Sequence, residues 1–204
     1  VPLFDPGPID HPEIPVHIAA VNSYMSRIAG EVAEGVRPHP VCTPAYIKDV
    51  MWPEIKKGIT KSGEEKNDFC VSIKPLLATA ATPSKLRDVI KDVRARIAFY
   101  GSTPSYWPVF EHHGYGDLGR KLNRMTKEGK WNEIASEIPD DVLHLFAVIA
   151  PYGQLENAII KRFGGVVDAI YASTSQDIRP QIPSDVLEDI GRIPTAFNGF
   201  RTNW

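Results

Sequence analysis

Residues 14–39 constrain the fold more than any other stretch, because they read as a buried strand, a tight turn, a short helix and a second strand. Residues 16–21 are apolar without regular alternation, which is typical of a parallel strand covered on both faces. Asn22 and Ser23 interrupt this run. Ser23 can cap the following helix, and we expect Gly35 to end it. The stretch therefore predicts a βαβ unit, and the backbone amides of its turn can receive a phosphate.

Strands and amphipathic helices continue to alternate after this unit. Thr43 and Thr82 each precede a proline, and this pair of residues is a strong N-terminal helix signal. Helices are therefore predicted over residues 44–61 and 83–97, with Pro53 producing a kink or a frayed turn in the first of them. We expect four parallel strands near residues 15–21, 35–38, 69–74 and 166–172, with Pro75 interrupting regular pairing after the third.

The domain boundaries follow from changes in composition. Residues 1–13 are rich in proline and predict an extended leader, and residues 14–173 form the main α/β domain. Residues 100–139 are rich in Tyr, Trp, Gly and Pro and predict a helical insertion. The remainder, 174–204, is expected to be a C-terminal tail over the surface. Short helices are predicted at residues 104–112, 117–127, 131–138, 142–149, 154–163 and 184–190.

Length and charge narrow the class of protein. The chain has 204 residues, of which 43% are hydrophobic, and its formal net charge is −2. A complete (β/α)8 barrel typically needs about 250 residues and eight strands, so the strand candidates found here favour half a barrel. Basic and acidic residues are interleaved, which argues against a nucleic-acid surface.

The low cysteine content and the lack of a recognisable signal peptide indicate the cellular compartment. Cys42 and Cys70 are too few for a disulfide framework, and reduced, buried thiols are expected. No stretch resembles a signal peptide or a membrane span. We therefore expect a cytoplasmic protein without a membrane partner.

A set of short motifs carries a resemblance to a known family. The motifs are Ile-Pro-Val and Ala-Ala-Val in residues 14–21, Ala-Gly-Glu-Val-Ala-Glu-Gly in 29–35, and the segments 43–46, 96–104, 113–118 and 140–143. By the order and spacing of these motifs together, rather than by any single one, the chain resembles the luciferase-like flavin and deazaflavin oxidoreductases, in their coenzyme F-420-dependent branch. The resemblance extends over roughly residues 14–173.

The resemblance implies a fold and a function. It implies the C-terminal half of a (β/α)8 TIM barrel of the bacterial luciferase-like type, with a helical insertion. The sequence begins at Val1 without an initiating Met, and we expect a fragment whose N-terminal half is missing. Complete members move hydride through coenzyme F-420 or FMN, or act as monooxygenases, on a small-molecule substrate. Their catalytic residues lie mostly on the earlier strands, so none is assigned here.

A second hypothesis belongs to a different class. The chain could stand alone as a non-catalytic remnant that covers its open strand edges and apolar face by self-association. Under either hypothesis we expect a homo-oligomer, such as a homodimer.

The loops that follow the strands are the expected reactive end of a parallel barrel. After the first strand, the resemblance implies that backbone amides meet the cofactor phosphate. This sequence departs from many relatives by placing Asn22-Ser23 where they have Gly-Pro, and a plain capped turn is the alternative. The predicted cofactor-binding residues are Ala20, Val21, Asn22, Ser23, Tyr24 and His39.

Two further loops offer polar groups. Arg37 could meet an anion and His39 could face the pocket, although a histidine between prolines is also typical of a packed loop. Thr79 and Thr82 could donate hydrogen bonds after the third strand, but they could not perform acid–base chemistry.

A metal site is not expected. His112 and His113 would point about 100° apart on a helix, and no further ligand stands at a suitable spacing. The aromatic residues of the insertion could stack on a flat ring, although their helical spacing is also typical of core packing. These residues are Phe99, Tyr100, Tyr106, Trp107 and Phe110.

Overall fold

The structure of the chain is a computed structural model that describes Gly7 and residues 14–64, 68–172 and 182–195. Most of the predicted leader and of the predicted tail lies outside these residues. The strands within them are β1 His17–Ala20, β2 Gly35–Pro38, β3 Cys70–Ile73, β4 Leu76–Ala78, β5 Ala147–Ile149 and β6 Ala169–Ile170.

Helices connect these strands. The α-helices in the described ranges are α1 Ser23–Val32, α2 Pro44–Tyr46, α3 Trp52–Ser62, α4 Pro83–Gly101, α5 Trp107–His112, α6 Gly116–Lys127, α7 Asp140–Phe146, α8 Leu155–Phe163 and α9 Ser184–Gly191. A π-helical turn joins α2 to α3, and 3-10 turns lie at Pro104–Tyr106, Ile134–Glu137 and Tyr152–Gln154.

The main sheet has the strand order β1-β2-β3-β6, and every pairing in it is parallel. Helices cross from each strand to the next, as in a (β/α)8 barrel. The prediction of four parallel strands that form part of a barrel is confirmed. Three strands are shorter than predicted: β1 covers His17–Ala20, β3 covers Cys70–Ile73, and β6 covers only Ala169–Ile170 because Val166 already lies in the turn after α8.

Pro75 divides the third barrel strand as predicted. It has no N–H to donate, and β3 ends at Ile73 before β4 resumes at Leu76. The second segment pairs in parallel with β5 rather than with the main sheet. The prediction of a helix over residues 142–149 is therefore wrong in its second half. The helix ends at Phe146, and residues Ala147–Ile149 form β5 of this second, two-stranded sheet.

The helix starts agree with the sequence signals in two cases. The Thr43 hydroxyl accepts a hydrogen bond from the Tyr46 N–H at 3.1 Å, and the Thr82 hydroxyl accepts one from the Lys85 N–H at 3.3 Å. Near Pro53, the helix does not fray. The π-helical turn Ile47–Met51 precedes Trp52 and shifts the hydrogen-bond register, so the helix accommodates Pro53 without a break. The helix expected over residues 131–138 is only a 3-10 turn, Ile134–Glu137.

α1 and α3 pack unusually closely because glycines stand at their contact. A Cβ atom on Gly58 would lie 2.0 Å from the Arg27 carbonyl oxygen, and one on Gly30 would lie 2.1 Å from the Ile55 carbonyl oxygen. Gly35 does not end α1, as the sequence suggested. The helix ends at Val32, and Gly35 is the first residue of β2.

The main sheet has two different faces. Its outer face, which includes Val36, Val71 and Ile73, is fully buried in the core beneath the helices. The opposite side we call the inner face, since it corresponds to the inside of a barrel, and it carries His17, Ala19, Arg37 and Ser72. Ala19 and Arg37 are exposed. The expectation that the first strand is covered on both faces is therefore wrong for the described residues.

Candidate functional site

The carboxyl ends of β1 and β2 meet at one edge of the sheet. The His39 N–H donates a hydrogen bond of 3.0 Å to the Ala20 carbonyl oxygen, which extends the strand pairing past Pro38. Asn22 and His39 then both contact the turn Pro104–Tyr106 of the insertion. The Asn22 side-chain amide donates to the Ser105 carbonyl oxygen at 3.1 Å, and the His39 ring stacks on Tyr106 at 4.3 Å between centroids. Three of the predicted cofactor-binding residues therefore lie together.

The start of α1 differs from the prediction at one residue. Asn22, not Ser23, is the N-cap, and Ser23 is the first helical residue. The Asn22 side chain forms no capping hydrogen bond, because it is directed to Ser105 instead. Its Oδ1 atom is buried and has no hydrogen-bond partner among the described residues. The first amides of α1 are thus not capped by a side chain.

His39 is held as a neutral ring. Tyr100 meets it edge-on at 4.7 Å between centroids, and its Nδ1 accepts a long hydrogen bond of 3.4 Å from the Val41 N–H. Burial lowers the pKa of His39 to about 4, and the positive charge of Arg96 acts in the same direction. The ring therefore carries its proton on Nε2 near neutral pH and serves as an uncharged donor.

The other residues predicted to line the site differ in burial and in structural role. Val21 is half-buried against the core, Ser23 is half-buried, and the Tyr24 side chain is 69% exposed on α1. Thr79 is buried, and its hydroxyl has no partner within the described part of the chain. Thr82 serves as the N-cap of α4.

The inner face carries polar groups that sequence reasoning missed. The His17 ring lies across β2 and its Nδ1 is 3.1 Å from the Ser72 hydroxyl on β3. Gly35 makes this crossing possible, since a Cβ atom there would lie 2.8 Å from His17 Nε2. Burial lowers the pKa of His17, with a smaller effect in the same direction from the charge of Arg37. The alternation of polar and apolar residues along β2 and β3 could have indicated this face once the strands were in register.

The adjacent histidines at the C-terminal end of α5 bind different partners. His113 Nε2 is 2.7 Å from the Thr43 hydroxyl, and His112 Nε2 is 3.3 Å from Asp49 Oδ2. Burial lowers the pKa of His113. These contacts connect the insertion to α2 and to the π-helical turn. In the described ranges, no group of three or more His, Cys, Asp or Glu side chains could hold a metal ion.

The aromatic residues of the insertion divide into two sets. Phe110 is fully buried and stacks on Phe146 at 4.6 Å between centroids, so its ring belongs to the core, and the half-buried Trp107 ring donates a hydrogen bond to the Gly101 carbonyl oxygen. Tyr100 and Tyr106 instead surround His39 at the sheet edge. Phe99 is 50% exposed.

A pocket of about 340 Å³ lies away from this edge, among α8, β6 and α9. Its main polar group, Asp168, already accepts a 2.8 Å hydrogen bond from the Val71 N–H.

The two cysteines are not suited to act as nucleophiles. Cys42 and Cys70 are buried free thiols, and burial raises their pKa values to about 12 and about 11. Among the helices that the structure describes, none is both long and apolar enough to span a membrane.

Curated relatives of the chain come from mycobacteria. The uncharacterized proteins Rv1360 of Mycobacterium tuberculosis (strain H37Rv) and Mb1395 of Mycobacterium bovis are each 38% identical to it over 179 residues. The match covers 86% of this chain and 53% of each relative. The chain therefore spans about half the length of the curated relatives it matches.

Two solved structures share the fold. A coenzyme F-420-dependent tetrahydromethanopterin reductase from Methanopyrus kandleri is 19% identical, with a TM-score of 0.66 over 88% of this chain and 50% of that chain. An F-420-dependent secondary alcohol dehydrogenase, solved with an F-420–acetone adduct, is 10% identical, with a TM-score of 0.53 over 78% and 43% of the two chains. At these identities the likeness is one of fold.

A match between the sequence and a family model identifies the family of the chain. The family model described as luciferase-like monooxygenase matches residues 2–169, most of the chain. The parallel half-barrel of the structure agrees with it. The chain belongs to the luciferase-like monooxygenase family.

Proposed function

We propose that this chain forms the C-terminal half of a coenzyme F-420-dependent oxidoreductase, with FMN as the alternative cofactor. In this proposal it supplies the turn that holds the cofactor phosphate and one wall of the pocket for a small-molecule substrate. The two solved F-420-dependent enzymes with this fold support the choice of cofactor. The complementary N-terminal half of the barrel is the required partner, because the relatives are about twice as long as the matched region.

The open N-terminus of α1 carries the proposal. Within the described residues, no acceptor is present for the N–H groups of Ser23, Tyr24 and Met25. These amides follow β1 at the carboxyl edge of the sheet, where they and the helix dipole favour an anion. The Asn22 side chain is held away from them by Ser105, so a phosphate does not compete with a side-chain cap. The residues present therefore fit a phosphate group.

The remaining residues of the site orient the bound ligand rather than take part in the reaction. The deazaflavin ring, when bound, supplies the hydride chemistry. His39 can donate one uncharged hydrogen bond from Nε2, and its position between Tyr100 and Tyr106 fixes the direction of that bond. Ala20 is buried in the core and Val21 packs against it, so these two residues hold the turn in place. No acid–base role is assigned to these residues.

Replacing Ser23 by Asp tests the phosphate turn. A carboxylate in the first turn of a helix is favourable for the helix itself, but it repels a phosphate bound there. We expect cofactor affinity to fall roughly tenfold or more, which corresponds to about 1.4 kcal/mol, with little change in melting temperature. The measurement is a fluorescence titration of coenzyme F-420, and separately of FMN, into the chain reconstituted with its complementary half.

Ser84→Asp is the matched control, because Ser84 is exposed in the first turn of α4, another helix. It adds the same charge away from the turn and should leave the affinity unchanged. Equal affinity of Ser23→Asp and the unmodified protein would show that the turn does not hold the phosphate.

A non-catalytic, self-associating chain is the second candidate. It is favoured by the edge of β1, which among the described strands pairs only with β2, and by exposed apolar side chains near that edge. Failure of the reconstituted protein to bind either cofactor would favour this candidate.

A further inference from the structure

The guanidinium of Arg37 holds an unusual position on the inner face. From β2 it reaches across β3 and lies over the ring of Tyr171, just beyond β6, at 4.2 Å from the ring centroid. Tyr171 is 47% exposed, and Arg37 is exposed as well. The guanidinium carbon therefore lies over the face of the ring, and an arginine carries its N–H donors at the edge of its planar group.

Arg37 has no acidic partner in the described part of the chain. Some other arginines do have one: Arg27 pairs with Glu54 at 2.7 Å, and Arg120 pairs with Glu111 at 2.9 Å. On the inner face, His17 and Ser72 are hydrogen-bonded to each other at 3.1 Å, and the charge of Arg37 acts on His17. Burial lowers the pKa of His17, so it adds no positive charge near neutral pH.

The position of the Arg37 guanidinium in the sheet indicates the kind of group that it can bind. Arg37 and Tyr171 lie near the carboxyl ends of their strands, which is the ligand end of a parallel barrel. The planar fork of a guanidinium matches the geometry of a phosphate or a carboxylate. In a closed barrel this face is shielded from water, and an unpaired charge there is costly unless an anion neutralises it.

We propose that Arg37, held on Tyr171, binds the oxyanion of a small-molecule ligand at the inner face. The ligand chemistry is a phosphate ester or a carboxylate. The proposal rests on the proposed function in one respect: the inner face must line the ligand pocket. It concerns a second anion position, distinct from the amides at the start of α1.

The test follows the Nε–H resonance of Arg37 in NMR spectra of the 204-residue chain. Inorganic phosphate and acetate are titrated separately at constant ionic strength. Saturable movement with phosphate indicates a phosphate ester, and movement with acetate indicates a carboxylate. Arg37→Gln should weaken binding roughly tenfold or more, as for loss of a charged hydrogen bond. Tyr171→Phe should retain it, since the ring remains, and Tyr171→Leu should weaken it.

Arg87→Gln is the matched control, because Arg87 is exposed on α4, outside the sheet. It should bind both anions as the unmodified chain does. Equal binding in Arg37→Gln, or an Arg37 resonance that neither anion moves, would overturn the proposal. The same holds if reconstitution with the complementary half abolishes the response, since a carboxylate of that half would then occupy the position. The titration needs no cofactor, so it can succeed where coenzyme F-420 binding fails.

Discussion

At the scale of single residues, the environment of His39 determines its chemistry. A histidine between two prolines could have been a charged group at the surface, a ligand or a packed ring. The two tyrosines of the insertion enclose it, and burial keeps it neutral. It is therefore suited to donate one hydrogen bond and poorly suited to exchange protons near pH 7.

The lowered pKa of His39 predicts how stability changes with pH. Between pH 6.5 and about pH 4 the unfolded chain binds a proton at this position and the folded chain does not. The free energy of unfolding therefore falls as the pH decreases through this range, by at most about 3 kcal/mol from this residue. His17 and His113, whose pKa values burial also lowers, contribute with the same sign.

His39→Gln should flatten this pH dependence in urea unfolding between pH 7 and pH 4.5, without removing it. His144→Gln, at an exposed position of α7, is the control and should keep the original slope. An imidazole titration by NMR with a midpoint near 6.5 for His39 would contradict the prediction.

At the scale of elements, the contact between α1 and α3 depends on the absence of side chains. Gly58→Ala would normally favour a helix by about 1 kcal/mol. Here the new methyl group would meet the Arg27 carbonyl oxygen at 2.0 Å, and backbone atoms cannot yield cheaply. We expect a net loss of about 1–3 kcal/mol in the free energy of unfolding, measured by urea denaturation.

Gly153→Ala provides the comparison for this helix pair. Nothing lies within 4 Å of a Cβ atom at Gly153, so its unfolding midpoint should stay close to that of the unmodified chain. If Gly58→Ala were equally well tolerated, the two helices could separate without cost, and their close packing would not be a requirement of the fold.

At the scale of the whole molecule, β1 lies at the edge of the main sheet and pairs with β2 alone among the strands that the structure describes. Exposed apolar side chains lie before it and on α1: Val16 is 54% exposed, Met25 39% and Val32 61%. An exposed strand edge beside apolar surface favours association. We predict that the isolated chain forms a dimer or a larger assembly, which light scattering at micromolar concentration can measure.

Val32→Lys should reduce the measured mass, because it places a charge beside the open edge. Leu187→Lys, on α9, changes an apolar side chain that is 40% exposed elsewhere and should have no such effect. A monodisperse monomer of the unmodified chain would refute this prediction.

Local sequence signals were sufficient for most elements of the fold. Thr-Pro pairs set the start of α2 and α4 because both the threonine cap and the proline geometry act within one turn. The parallel strands followed from continuous apolar runs, and the family followed from the order of short motifs. Pro75 broke the third strand for a reason visible in its own chemistry.

Tertiary structure alone decided the rest, because the deciding contacts join residues far apart in the chain. Ala147–Ile149 became a strand through pairing with Leu76–Ala78, although the run also fits a helix. Asn22 replaced Ser23 as the N-cap, and its side chain turned to Ser105, 83 positions away. Arg37 met Tyr171 only because strand order placed β6 beside β3. The sequence alone thus determined the elements and the family, whereas the packing between elements determined the environment of each candidate site residue.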